Sequence, residues 1–117
     1  MFGGYTFDNL NYSFIMSLQK KFLKSKPICK VTFKLDSDIA LDAKKAAIVG
    51  DFNNWDPKKG KMDKMKSGPF KATVDLETGK SYQFRYVLDG KIWENDESAD
   101  DYVPTGVSLE ENCVVAV

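Results

Sequence analysis

Histidine is absent from the chain. Nucleophilic catalysis of the Ser–His or Cys–His type therefore has no base. Cysteine is scarce, with only Cys29 and Cys113, and neither belongs to a C-x-x-C pair. Two thiols do not make a disulfide framework. A zinc site needs about four ligands, so no metal site is expected, and no cofactor. A basic excess is also missing: Lys+Arg and Asp+Glu are both 17. A nucleic-acid binder normally carries a clear positive surplus. No apolar run approaches the ~20 residues of a membrane span. No Gly-rich phosphate loop is present, because Gly50-Asp51-Phe52 ends a strand pattern. Catalytic residues are expected to be none.

Residues 1–15 show no basic start and no sustained apolar stretch, so they do not read as a secretory signal. The expectation is a cytoplasmic protein with reduced thiols. Met16 opens a segment of different character and reads as an alternative start. Glycoside hydrolysis needs two carboxylates flanking a sugar-sized cleft. The acids of Glu94–Asp101 instead read as solvated surface on a chain of 117 residues.

What is present is a strand rhythm. Cys29, Val31, Phe33 and Leu35 alternate with Lys30, Thr32 and Lys34. Period two of this kind marks a half-buried strand. Ala46–Val49 is a second strand, ending at Gly50, and Phe70–Leu76 and Tyr82–Leu88 repeat the alternation. Asp89-Gly90 supplies the positive φ of a hairpin turn, with Ile92-Trp93 starting the return and Cys113–Val117 the last strand. Short strands divided by Gly, Pro and Asp turns indicate an all-β sandwich or barrel. Before them, residues 17–25 are expected to form a short helix, with Ser17 as N-cap and Pro27 ending it. The domain is therefore read as residues 27–117, preceded by an extension over 1–26.

Charge is uneven along the chain. Residues 16–34 hold six lysines and no acid, and residues 94–111 hold seven acids and no base. Each run reads as a solvated face, the two facing one another across the fold.

The two tryptophans sit among turn residues. Trp55 follows Asp51-Phe52-Asn53-Asn54, and Trp93 follows the Asp89-Gly90 turn. Sugars are held by aromatic faces against their C–H side and by side chains that bond their hydroxyls. Tryptophan suits such surfaces because its ring is apolar and its N–H is not. Core packing is the other reading, since tryptophan is highly buried on average. The residue pattern alone leaves both open.

Gly50-Asp51-Phe52-Asn53-Asn54-Trp55, then Tyr82-Gln83-Phe84-Arg85-Tyr86-Val87-Leu88-Asp89-Gly90, Trp93 and Asn112 together resemble a known family. It is the glycogen-recognition module of the AMP-activated protein kinase β subunit, also found as the early-set domain of isoamylase, pullulanase and branching enzymes. The resemblance covers roughly residues 28–117. It implies an immunoglobulin-like β-sandwich that binds α-glucan. It also implies that Trp55 and Trp93 stack on glucose rings, although one extra residue precedes Trp93. Arg85 stands where the kinase module has lysine, and with Asn112 it would bond sugar hydroxyls. The family's loop leucine has only a register-shifted counterpart here, Leu109. The expected partner is glycogen- or starch-type glucan, with a glycogen-metabolising enzyme or another protein as a second partner. The alternative is a protein-interaction or regulatory module that has lost the sugar and docks through residues 16–26.

Overall fold

A computed structural model describes residues 18–36, 40, 43–96, 99–106 and 110–117. Leu109, Met16 and Ser17 lie outside these residues. Nine strands are described: β1 Leu18–Phe22, β2 Ile28–Leu35, β3 Ala46–Gly50, β4 Asp63–Lys64, β5 Phe70–Glu77, β6 Ser81–Leu88, β7 Ile92–Glu94, β8 Asp101–Pro104 and β9 Glu111–Ala116. One sheet runs β1-β2-β5-β4 and the other β3-β6-β9-β8, with β7 also paired to β6. All pairings are antiparallel. The expected immunoglobulin-like sandwich is the architecture observed.

The alternation seen in the sequence becomes the core. Cys29, Val31, Phe33 and Leu35 of β2 are buried, and so are Phe84, Tyr86 and Leu88 of β6. Cys113 and Val115 of β9 join them. The rings of Phe33 and Phe84 meet edge to face at 5.0 Å, and Phe84 meets Tyr86 at 5.8 Å. Burying a Phe side chain is worth about 1.5–3 kcal/mol, and an edge-to-face pair adds about 0.5–1.5 kcal/mol. This stack ties the two sheets together.

Two expectations need correction. Residues 18–22 are not helical; they form β1, paired with β2 from Leu18↔Phe33 to Phe22↔Cys29. Leu23 N–H donates to the Ile28 carbonyl at 3.0 Å, closing a hairpin around Pro27. Leu18 and Phe22 share a face in a strand as well as in a helix, so spacing did not decide between them. Pairing did, because β1 satisfies the open edge of β2. Leu18 reaches the core, while Phe22 remains 56% exposed at the far end. The basic segment is thus a sheet edge, and no exposed docking helix is formed by Leu18–Phe22.

The second correction concerns Glu94–Asp101. It is not uniformly solvated, since Asp96 is 2% exposed. Its carboxylate accepts the Tyr86 hydroxyl at 2.6 Å. The Tyr102 hydroxyl donates to the Asp96 carbonyl, and the Asp96 N–H donates to Cys113 Sγ at 3.0 Å. A buried carboxylate persists only when hydrogen-bonded in this manner. Burial, and then the Asp96 charge, hold the Tyr86 phenol well above its usual value. Burial likewise pushes the Cys113 thiol up to about 11. The opposed charge runs do meet, through Lys20 Nζ and Asp100 Oδ2 at 2.6 Å.

Candidate functional site

The loop after β3 is built residue by residue. A Cβ on Gly50 would lie 2.5 Å from the Gln83 carbonyl and 2.9 Å from Phe84 Cβ, so only glycine fits against β6. Asp51 Oδ2 accepts the Gln83 N–H at 2.8 Å, and its Oδ1 accepts the Trp55 indole N–H at 3.2 Å. Phe52 turns inward against Phe33 and Tyr82. Asn53 accepts from the Gly50 N–H at 3.0 Å and donates to the Ile48 carbonyl at 2.9 Å. Asn54 and Trp55 both take φ of 57°, in the left-handed region. That conformation costs a bulky side chain roughly 1–2 kcal/mol. The Asn53 and Asp51 hydrogen bonds offset it. The result is a tryptophan held half-buried at the rim of the second sheet, outside the core cluster.

The outward face of that sheet continues from this loop. Directly opposed residues share a face. Val87 pairs with Trp93, Val49 with Arg85, and Gln83 with Val114. Val49, Val87 and Val114 are buried and form an apolar floor. Above them Trp93 is 44% exposed, and the Arg85 guanidinium lies over its ring at 5.3 Å. Arg85 Nε donates to Asn95 Oδ1 at 3.1 Å, and its Nη1 donates to Glu110 Oε1 at 2.7 Å. Asn95 in turn donates to the Glu111 carbonyl at 3.0 Å. Asn112 Nδ2 donates to Gln83 Oε1 at 3.0 Å.

All four residues singled out in the sequence therefore belong to one side of the molecule. Trp93 and Arg85 are in direct contact, and Asn112 joins through Gln83. Trp55 is connected through Asp51, which also holds the Gln83 amide. Neither tryptophan is part of the core, which resolves the alternative left open by the residue pattern.

Three contributors were not picked out beforehand: Asp51, Asn95 and Glu110. Each carried a signal. Asp51 lies inside the tryptophan motif. Asn95 is two residues from Trp93, and Glu110 two from Asn112, so period two places them on the same outward face. Asn95 and the buried Asp96 are neighbours pointing in opposite directions. The clasp beneath the sheet thus fixes the residue that orients Arg85 above it.

Chemically, the face offers a partly exposed indole, a second indole on a rigid loop, and a guanidinium at its centre. A guanidinium has five N–H groups in a planar fork, and among the described residues two of them engage Asn95 and Glu110. Two side-chain amides complete it. Such a surface suits a ligand with apolar C–H faces ringed by hydroxyls.

No curated protein matches the chain. A family model described as the glycogen recognition site of AMP-activated protein kinase matches residues 38–107. That family consists of carbohydrate-binding modules, which bind and do not catalyse. The match spans both tryptophans, Arg85 and the loop that carries Trp55. The chain belongs to this family of glycogen-recognition modules.

Proposed function

We propose that the chain is a non-catalytic binding module for α-1,4-linked glucan of the glycogen or starch type. The observation that carries this reading is the placement of the Arg85 guanidinium over the Trp93 ring on the outward face, 5.3 Å from the ring centroid. Trp93 and Trp55 offer ring faces to glucose units, while Arg85 and Asn112 bond the hydroxyls between them. Arginine in place of lysine keeps the charge and adds a planar fork. Few groups engage the ligand, and association carries an entropic cost, so the dissociation constant is expected between about a millimolar and a micromolar.

Affinity electrophoresis through glycogen-containing gels tests this. The natural chain is expected to be retarded and Trp55→Ala to migrate freely, with its thermal unfolding still cooperative. Retardation of the variant equal to that of the natural chain would remove Trp55 from the site.

A further inference from the structure

A groove runs along the outer edge of β3, where it nears β4 of the opposite sheet. Lys44, Lys45, Lys58, Lys61 and Lys64 line it, against Asp63 and Asp89. The contrast with other lysines is informative. Lys20, Lys30 and Lys80 each hold a carboxylate within 3.0 Å. Among the described residues, Lys44, Lys45, Lys58 and Lys61 form no ion pair. Asp89 offsets part of the charge of Lys44 and Lys45, whose backbone N–H groups its Oδ1 accepts, both at 2.9 Å, but five lysines face only two aspartates in the lining. Unpaired positive charge is therefore concentrated in one concave strip of a chain whose net charge is zero.

That strip adjoins the carbohydrate face. Ala47 and Val87 line it, and Val87 is the cross-strand partner of Trp93. Lys58 belongs to the segment leaving Trp55, where Asp56 Oδ1 accepts its N–H at 2.9 Å. We propose that this lysine groove is a subsite for phosphate monoesters carried on the glucan chain. A monoester bears about −1.5 to −2 charges near neutral pH and three acceptor oxygens. Lysine ammonium groups meet such a group as mobile point charges and need no fixed geometry. A nucleic acid fits less well, since no long-range positive field surrounds the molecule.

The proposal rests on the glucan reading, and its test separates the two. Amylopectin would be phosphorylated chemically, and half of the batch dephosphorylated again. Retardation by each polymer would be compared for the natural chain, for Lys58→Gln/Lys61→Gln and for Trp55→Ala. The expected result is about tenfold tighter binding to the phosphorylated polymer at low salt, falling toward parity at high salt. The double lysine variant should lose this preference and still bind the plain polymer. Equal binding of both polymers by the natural chain would overturn the subsite, as would a preference that survives the lysine changes. Inorganic phosphate erasing the preference at matched phosphate concentration would assign the groove to the free anion and overturn it too. Lysine-dependent binding of the phosphorylated polymer, with none of the plain one, would uphold the groove and sink the role of the tryptophans.

Discussion

The two sheets turn very different faces to water. The first presents Lys30 against Asp75 at 3.0 Å and Thr32 against Thr73 at 3.2 Å. These groups answer one another across the strands, while Lys34 and Lys71 stand directly opposed on the same face as like charges. The second presents Trp93 under Arg85, with Asn95, Gln83 and Asn112 fastening the polar groups from the side. Both faces are polar and accessible. What separates them is orientation. On the second sheet each functional group is held by a neighbour that is itself held, down to the buried Asp96. Exposure and polarity alone do not make a binding surface; supported geometry does.

The comparison breaks most readily at Gly50. Its replacement by alanine should cost about 3 kcal/mol or more, because a Cβ meets backbone that cannot yield. Urea unfolding measures this, and a loss under about 0.5 kcal/mol, the usual scale for plain surface changes, would put the loop on a par with the first sheet's exterior.

Next comes the clasp beneath the face. Tyr86→Phe removes a hydroxyl that donates to buried Asp96 at 2.6 Å. A loss of about 1–3 kcal/mol is expected, with glucan affinity falling as Asn95 loosens. Unchanged affinity in a destabilised variant would uncouple the clasp from the surface above it.

The same region gives a pH signature. The Cys113 thiol has its folded value raised from 9.0 to about 11. Between those values the unfolded chain has shed the proton and the folded chain has kept it, so stability declines as pH rises through that window. The contribution is at most about 3 kcal/mol, and Cys113→Ala should flatten the alkaline limb of urea midpoint against pH. An identical limb in the variant would show that other groups carry it.

The smallest effect belongs to the first sheet. Lys30 and Asp75 have side chains 47% and 53% exposed, and exposed pairs contribute about 0–1 kcal/mol. Lys30→Ala should leave glucan retardation untouched, where Arg85→Ala weakens binding about tenfold. Equal losses from the two would erase the distinction between the faces.

Much of this was legible in the chain. Period two located β2, β5, β6 and β9, an apolar run ending at Gly50 located β3, and the Asp89-Gly90 turn located β7, while turn residues around both tryptophans raised a surface position without deciding it. The failures have physical causes. Five residues, Leu18–Phe22, are too few for helix and strand periods to diverge. β4 is two residues long, and β8 is short, acidic and closed by Pro104, so neither shows an alternation. Asp96 looks solvated because its burial depends on Tyr86, Tyr102 and Cys113, brought to it by folding. Asn95 was readable from spacing, but its function as a brace for Arg85 appears only once β7 lies beside β6.

The left-handed turn at Asn54 and Trp55 has a consequence for how binding should look in a calorimeter. A loop already locked by Asn53 and Asp51 has no chain left to order when a partner arrives. Backbone shifts on association should remain within roughly 1 Å. The heat capacity change should be negative and small, tracking only the ring faces covered and not the large burial that accompanies coupled folding. Relaxing the loop, as by Asn53→Ala, should appear first as a larger entropic penalty, before any contact with the ligand is lost.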